Sequence, residues 1–306
     1  MSSRRAAAIL GILVSLICSA GTGSAQDLEP RAYAASPVGL SFLAVIAGHS
    51  SGGVLVDPSL PVEDAKATVN SLAVGVGTTF GLFSRTALAV AALPLAWADA
   101  SGRVGEATGQ VSREGLADPR IKLSVNLVGG QALSAREFAK AQRRTILGVS
   151  LTAIAPLGQY DRTKLINLGA NRWAFKPEIG ISRLVRTRWT LDGYAGVWLP
   201  MANDEFYPGS SHRTQRPIVA LQAHVSYTTR PRLWIAADGT WYSGGRTTVD
   251  GIEKGDLQRN SRLGATVSLP LPRQQSLKIN GSIGATTRAG ADFRTISVAW
   301  QMSWLH

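Results

Sequence analysis

The sequence predicts an all-β protein, a single antiparallel transmembrane β-barrel of about twelve strands with one short helix near residues 134–142. Three observations lead to this prediction. Stretches of roughly ten residues alternate between apolar and polar side chains, as expected of strands with one face in lipid and one in water. Long and short connections alternate between these stretches. The last stretch, residues 295–304, lies at the C-terminus and ends in an aromatic residue, similar to the signal that the barrel-assembly machinery recognises.

The N-terminus has the order of a secretory signal peptide. Arg4 and Arg5 precede an apolar run at residues 6–17, and small residues follow as far as Ala25. The apolar run is shorter than the ~20 residues that cross a bilayer as a helix. We therefore predict cleavage after Ala25 and no membrane anchor here.

The predicted cleavage divides the chain into three parts. Residues 1–25 are the signal peptide, residues 26–36 a periplasmic N-terminal segment, and residues 37–306 the outer-membrane barrel. Cys18, the only cysteine, lies in the signal peptide. The exported chain therefore has no thiol for a disulfide, for thiolate catalysis or for a zinc site.

The formal net charge of +12 bears on the partners. A soluble domain this basic would usually bind nucleic acid, but export argues against that partner. Outer-membrane lipid and anionic lipopolysaccharide around a barrel, or small anionic solutes inside it, fit the charge better. A solvated basic surface is the alternative interpretation.

No later stretch has the ~18 uninterrupted apolar residues of a transmembrane helix. The richest, residues 86–98, is interrupted by Pro94. A chain without such helices can cross a membrane only as a closed barrel. A soluble sandwich would show the same alternation with its apolar faces turned inward, so alternation alone leaves both folds open.

Reading for a period of two gives the candidate strands. They are residues 38–48, 69–80, 82–93, 120–127, 145–155, 173–182, 189–199, 218–229, 233–242, 261–269, 277–287 and 295–304. Long connections follow the first, third, fifth, seventh and ninth of them, and short ones the second, sixth, eighth and tenth. Long extracellular loops and tight periplasmic turns are typical of outer-membrane barrels.

Residues 128–144 are the exception, because a short periplasmic turn is expected there. Ser134 followed by Glu137 three residues later is a capping box ahead of good helix formers. We predict one short periplasmic helix at this place; a miscounted strand is the alternative.

Tryptophans favour the membrane barrel over the soluble sandwich, because most of them fall at or near predicted strand ends, where indoles lie at the headgroup level. They are Trp97, Trp173, Trp189, Trp198, Trp234, Trp241 and Trp304. The parity of the strands places Trp198 and Trp234 on the inward face, so these two are not girdle residues.

Polar and charged residues share one parity in the clearer strands. Burying such groups in lipid or in a dry core would cost several kcal/mol, so they predict a water-filled lumen. The candidate lumen or solute-lining residues are Arg120, Lys122, Lys176, Glu178, Asp192, Gln222, His224, Asp238, Arg262 and Lys278. Basic groups outnumber acidic ones, which would favour anions in an open pore. The same charges can instead pair and plug the lumen.

An enzyme is the least favoured interpretation. His224 and Ser226 lie two residues apart on one strand, a spacing similar to that of the outer-membrane phospholipase, whose His and Ser lie on the lipid side with an Asn. Here the pair is predicted to point inward, and a third member cannot be assigned. We therefore predict no catalytic residue, and the spacing of the other histidines predicts no metal site and no cofactor.

Several short motifs resemble a known family, the one named for the meta-pathway of phenol degradation. The similar stretches cover nearly all of the mature chain and are Asp27-Leu28-Glu29-Pro30-Arg31-Ala32-Tyr33, Pro37-Val38-Gly39, Pro156-Leu157-Gly158-Gln159-Tyr160-Asp161, Asn167-Leu168-Gly169, Asn171-Arg172-Trp173-Ala174-Phe175-Lys176-Pro177 and Gln222-Ala223-His224-Val225-Ser226-Tyr227. The resemblance implies an outer-membrane transporter-like barrel associated with aromatic catabolism. It implies no catalytic residues.

The predicted extracellular loop before the sixth strand has two interpretations. Asn167, Asn171 and Arg172 could form a constriction or ligand contact at the pore mouth, or could pin the loop onto its own backbone. The first functional hypothesis is a channel for passive uptake of small solutes, such as phenols or aromatic acids. A closed barrel with a structural or interaction role is the second, and a lipid hydrolase using His224 and Ser226 the third.

Overall fold

The computed structural model of the protein describes residues 28–55, 63–105, 107–142 and 145–306. The predicted signal peptide, residues 1–25, lies outside the described residues. The described chain forms β1 (Leu40–Leu55), β2 (Glu63–Leu82), β3 (Arg85–Val104), β4 (Ala107–Leu116), β5 (Arg120–Val128), α1 (Ala135–Lys140), β6 (Ile146–Ile154), β7 (Ala174–Val185), β8 (Trp189–Pro200), β9 (Asn203–Phe206), β10 (Ser211–Gln215), β11 (Ile218–Arg230), β12 (Leu233–Gly244), β13 (Thr247–Val249), β14 (Ile252–Glu253), β15 (Gln258–Leu271), β16 (Gln275–Thr286) and β17 (Gly290–Leu305).

Twelve of these strands close into one antiparallel barrel, as the sequence predicts. Each barrel strand pairs with its neighbours in chain order, and β1 pairs with both β2 and β17. The closing ladder runs from Leu40 opposite Leu305 to Leu55 opposite Gly290. The cyclic pairing of these twelve strands leaves the barrel wall without a first or last strand, whose free edge a bilayer would not tolerate. Each of the twelve predicted strands corresponds to one of these barrel strands.

The barrel wall is apolar outside and polar inside. On β5, the side chains of Ile121 and Leu123 point outward and remain 58% and 43% exposed, whereas Ser124 and Asn126 are buried inside. The same parity holds on the other clear strands, so an apolar band surrounds the molecule where lipid chains would lie. This arrangement is the reverse of a soluble sandwich and removes that alternative.

One end of the barrel carries tight turns and the helix. Three of the turns use residues with left-handed backbone angles, with φ of 62° at Ser84, 65° at Arg232 and 62° at Gln274. Helix α1 begins after Ser134, whose backbone N–H donates to the Glu137 carboxylate at 2.9 Å while its hydroxyl accepts from the Glu137 N–H. The predicted capping box is therefore formed. No helix in the described ranges is long and apolar enough to cross a membrane.

The opposite end carries the long connections, and five short or polar strands lie in them that the sequence does not predict. β4 returns along the upper half of β3 and extends the wall beyond the barrel rim. β9, β10, β13 and β14 form a separate small sheet between the loops. Their pattern gives no period-two signal, because four of them are only two to five residues long and β4 carries few apolar side chains. They are held by pairing with a partner strand.

Candidate functional site

The N-terminal segment lies inside the barrel. Residues 26–36 are predicted to be periplasmic, but from Leu28 onward the described part contacts inward side chains of β5, β6, β7, β8, β11 and β12. The position therefore differs from the prediction. Polar partners in the wet lumen satisfy the backbone and side chains of this segment, which has no strand of its own to pair with. We call residues 28–34 the lumen segment.

Tyr33 anchors the lumen segment to β6 and β7. Its hydroxyl donates to the Glu178 carboxylate at 3.1 Å and lies 2.9 Å from the Ser150 hydroxyl, which is thereby left as the donor. The ring lies against Gly148 and Gly180, where an added Cβ would overlap with it. The Tyr33 ring thus fits into a slot that exists because Gly148 and Gly180 have no side chains.

Arg31 anchors the segment on the other side of the lumen. Its Nε donates to the Ser226 hydroxyl at 2.8 Å and its Nη2 to the Thr228 hydroxyl at 2.7 Å, both on β11. The guanidinium carbon lies 4.6 Å from the centroid of the Trp234 ring, a cation–π geometry. The backbone N–H of Arg31 donates to Asp192 at 3.3 Å. The two anchors together hold the segment across the lumen.

Two ion pairs lie next to the Tyr33 anchor. Lys122 Nζ is 2.7 Å from a Glu29 oxygen, so a residue of the lumen segment neutralises a predicted lining group. Lys176 Nζ is 2.8 Å from a Glu178 oxygen on the same strand, and both side chains are buried. Lys176 also lies 5.3 Å from the centroid of Trp198. Trp198 and Trp234 point inward, as their parity predicts.

His224 belongs to a hydrogen-bonded row that crosses four strands, β11, β12, β15 and β16. Its Nδ1 lies 2.7 Å from Asp238, whose other oxygen accepts from the Thr266 hydroxyl at 2.6 Å. Asn280 donates to the same hydroxyl at 2.9 Å. Ser226 is fully buried and accepts from Arg31, and in the described chain no hydrogen bond joins it to His224, whose Nε2 has no partner there. The pair thus has neither the contact nor the lipid access that a hydrolase would need.

The other predicted lining residues also face the lumen. Arg262 donates to the Ser282 hydroxyl at 3.0 Å and to the Phe293 carbonyl at 2.9 Å. Lys278 Nζ lies 5.8 Å from the centroid of Trp234, and the buried side-chain oxygen of Gln222 has no hydrogen-bond partner among the described residues. Arg120 lies close enough to act electrostatically on Glu29. These predicted lining residues thus lie on the inward side of the wall, on four different strands.

In the loop between β6 and β7, the two asparagines make structural contacts. Asn167 accepts from the backbone of Asp161 at 2.8 Å and donates to the carbonyl of Lys164 at 2.8 Å. Asn171 has a left-handed φ of 52° and donates to Asn203 at 3.1 Å. The loop is pinned by side chains onto its own backbone, which is one of the two interpretations left open by the sequence.

Arg172 differs from these two asparagines, because its guanidinium is buried with few hydrogen-bond acceptors around it. Its Nη2 donates to Gln215 at 2.5 Å, whereas its Nη1 has no partner in the described chain. Burial, and after it the nearby charge of Arg213, lowers the pKa of Arg172 to about 9. Asp118 is the acidic group nearby and is held by the N–H groups of Gly158 and Ala170. The pore mouth therefore holds a cation that lacks a full set of acceptors.

Sequence reasoning missed the residues of the lumen segment and their partners. Glu29, Arg31 and Tyr33 lie in the first stretch that resembles the family. This resemblance, in a segment outside the predicted strands, is the signal that could have identified them. Among the described residues, no group of three or more His, Cys, Asp or Glu side chains is arranged to hold a metal ion.

Solved structures with the same fold are outer-membrane barrels. The crystal structure of the COG4313 outer membrane channel from Pseudomonas putida F1 matches with a TM-score of 0.77 and 20% identity, covering 91% of this chain and 100% of that one. The transport unit of the autotransporter AIDA-I from Escherichia coli gives a TM-score of 0.56 and 10% identity, covering 97% and 99%. At these identities the likeness shows the fold, which supports an outer-membrane location.

No curated protein gives a match to this sequence. A family model described as "Putative MetA-pathway of phenol degradation" matches residues 48–300, which include all or part of every barrel strand. The resemblance of the short motifs points to the same family. The chain belongs to the family that carries this description.

Proposed function

We propose that the protein is an outer-membrane channel for passive uptake of small solutes, including aromatic compounds such as phenols and aromatic acids. The observation that carries this proposal is a polar, charged lumen crossed by a short segment that side-chain contacts hold in place. Such a segment narrows the passage without being part of the wall. The family's description names phenol degradation, and the similar structure from Pseudomonas putida F1 is named a channel, which supports an aromatic solute.

The lumen offers both kinds of contact that an aromatic acid needs. Rings of Tyr33, Tyr194, Trp198 and Trp234 are buried inside the barrel, and displacement of the lumen segment would uncover ring faces on which an aromatic solute can stack. Lys176 lies beside one of these rings and Arg31 beside another, so a carboxylate or phenolate would meet a cation next to a π surface. Basic groups outnumber acidic ones, which favours anionic solutes.

Export and assembly follow from the same proposal. Residues 1–25 would direct secretion and be removed, and the strand ending in Trp304, Leu305 and His306 would be recognised by the barrel-assembly machinery. Lipopolysaccharide would surround the loop end, where the basic surface meets its phosphates.

Reconstitution tests the proposal. Liposome swelling with benzoate and with an aliphatic acid of similar size should show faster entry of the aromatic acid. Planar bilayers should show conductance steps with anion preference in the reversal potential. A correctly folded protein that passes neither ions nor benzoate, even after deletion of residues 28–34, would contradict the proposal.

A closed barrel with a structural or interaction role is the second candidate. The observation that favours it is the pairing of lumen charges, with Glu29 on Lys122 and Glu178 on Lys176. Conductance before and after deletion of residues 28–34 separates the two candidates. A channel narrowed by this segment conducts with the segment in place and conducts more without it, whereas a barrel closed by these pairs does not conduct while the segment is present.

A further inference from the structure

The outer face of the barrel carries a second His-x-Ser pair, on β1. In the ladders, His49 pairs with Asn70 of β2 and with Ile296 of β17, and paired residues share a face of the sheet. Ile296 is exposed on the apolar outer surface, so His49 and Asn70 also face outward. Ser51 lies two residues further along β1 and therefore on the same face.

The two polar side chains opposite each other are hydrogen-bonded. His49 Nδ1 lies 2.8 Å from Asn70 Oδ1. An amide oxygen can only accept, so Nδ1 carries the proton and Nε2 of a neutral ring is left as a base. This is the orientation that a third residue gives to the histidine of a Ser-His-Asp type triad, with the asparagine variant known from cysteine proteases.

Ser51 is placed to be the nucleophile for this base. Two residues along a strand are separated by about 6.6 Å between Cα atoms, which the imidazole ring can bridge to the hydroxyl. Contacts between nucleophile and base are often long in empty sites and shorten with substrate. Arg294 lies directly opposite Ser51 in the β1–β17 ladder, so its guanidinium can reach a developing oxyanion or a phosphate.

A crevice of about 560 Å³ adjoins these residues. It is lined by His49, Ser51 and Arg294 together with the apolar side chains of Leu263, Ile283 and Ile296. Gly281 also lines it, and a Cβ placed there would meet no atom within 4 Å. The ladder between β16 and β17 ends at Ser282 opposite Thr295, which leaves this part of the wall indented. The crevice can hold an acyl chain.

The depth of this site fits an ester of a membrane lipid. Towards the periplasmic end of β1, the outward residues are Leu43, Val45 and Ala47, which lie in the apolar band. His49 and Ser51 are the first polar groups above it, on the side of the long loops. This is the boundary between acyl chains and headgroups of the outer leaflet, where ester carbonyls lie.

We propose that His49, Ser51 and Asn70, with Arg294, form an esterase site for long-chain acyl esters embedded in the outer leaflet. The Ser51 hydroxyl attacks the ester carbonyl while His49 Nε2 takes its proton, and Arg294 stabilises the oxyanion. The C–O bond to the alcohol breaks, and the alcohol leaves with the proton from His49. Water, activated by the same imidazole, then hydrolyses the acyl-serine, which releases the fatty acid and restores the hydroxyl.

The site differs from the inward His224 and Ser226 pair in each respect that matters. The inward pair is buried and bonded to other residues, whereas the outward pair is open to lipid and has its third member in place. The esterase site is also independent of transport, since none of its side chains faces the lumen.

The test uses full-length protein from a host that lacks its own outer-membrane phospholipase, refolded in mixed micelles. Nitrophenyl esters of short and long acyl chains are the substrates, and a long-chain fluorophosphonate is the covalent probe. We expect hydrolysis that increases with chain length, and a phosphonate adduct on the peptide that contains Ser51. Ser51→Ala should abolish both, and His49→Ala should lower kcat about 100-fold or more.

Two further variants complete the experiment. Ser50→Ala removes an inward hydroxyl bonded to Thr295 at 2.9 Å and should leave hydrolysis unchanged. Asn70 is a positioning residue, so Asn70→Ala should lower kcat with little change in KM, and Asn70→Asp should restore the rate because it keeps the acceptor. Folded wild-type protein with neither hydrolysis nor an adduct at Ser51, or hydrolysis that persists in Ser51→Ala, would overturn the proposal.

Discussion

Arg31 Nε donates a hydrogen bond to the Ser226 hydroxyl at 2.8 Å, and this contact joins residues that are 195 positions apart in the chain. Its counterpart on the other side of the lumen is the bond from Tyr33 to Glu178. Between these anchors lies Ala32, whose backbone N–H donates to the Tyr194 hydroxyl at 3.1 Å, and the segment has no ladder bonds to the wall. Such a segment has lower local stability than the wall that holds it, because every bond that joins it to the wall involves a side chain.

The first prediction concerns Arg31. Arg31→Ala removes two hydrogen bonds and the cation–π contact with Trp234, so the lumen segment should leave its place for a larger fraction of the time. We expect larger single-channel conductance in planar bilayers. Arg230→Ala, an exposed arginine at the end of β11, is the control. Equal conductance in both variants would show that Arg31 does not hold the segment.

The second prediction uses the slot for Tyr33. A Cβ at position 180 would overlap with the Tyr33 ring, so Gly180→Ala should displace the ring without changing any charge. Gly193→Ala is the matched control on the neighbouring strand, because its Cβ would meet only Ile181, at 3.6 Å. We expect faster liposome swelling for Gly180→Ala alone. If the control swells as fast, the effect comes from the wall and not from the segment.

The third prediction concerns the buried pair of Lys176 and Glu178. Glu178→Gln keeps the shape and an acceptor for Tyr33 but leaves the Lys176 charge unpaired in a buried place. Breaking one side of a buried pair typically costs ~3–5 kcal/mol. Urea unfolding in liposomes, followed by gel mobility, should show this loss. The double variant Lys176→Met, Glu178→Gln should recover part of it, and an equal loss in both would contradict the explanation by charge.

The barrel could be predicted because its physical cause is periodic. Lipid outside and polar groups inside impose a period of two on every wall strand, and this pattern identifies all twelve. The capping box of Ser134 and Glu137 is equally local, since its donors and acceptors lie three residues apart. Both features depend on neighbours in sequence, which is why reading along the chain was enough.

The lumen segment and the outer-face site could not be predicted for the opposite reason. Nothing near Arg31 in sequence indicates that its partners are Ser226 and Trp234, because that contact depends on the curvature of the whole barrel. Parity gives the inward direction of His224 but does not pair His49 with Asn70, which depends on the register of β1 and β2. Register is set by many residues together and leaves no local mark.

The fourth prediction is a pH dependence in the loop at residues 155–173. The hydroxyl and backbone N–H of Thr163 donate to Asp161, and these bonds lower the pKa of its carboxyl to about 2. A carboxyl with a lowered pKa stabilises the folded loop above its unfolded value near 4, and this stabilisation is lost as the pH falls towards 2. Amide exchange at Thr163 should therefore lose protection between about pH 4 and 2. Asp161→Ala should lack this step, and a step retained in the variant would assign it to another group.

The last prediction separates tryptophans in lipid from tryptophans in the lumen. Trp189 lies on the outer face near the periplasmic end of β8, with its ring 4.9 Å from that of Tyr227, whereas Trp234 is buried inside under Arg31. Brominated lipids quench only indoles that they can contact. Trp189→Phe should therefore remove a quenchable part of the fluorescence, whereas Trp234→Phe should remove an unquenched part. Equal quenching of the two indoles would mean that Trp234 contacts lipid. The inward orientation of Trp234 on β12 and the position of Arg31 over its ring would then both be wrong.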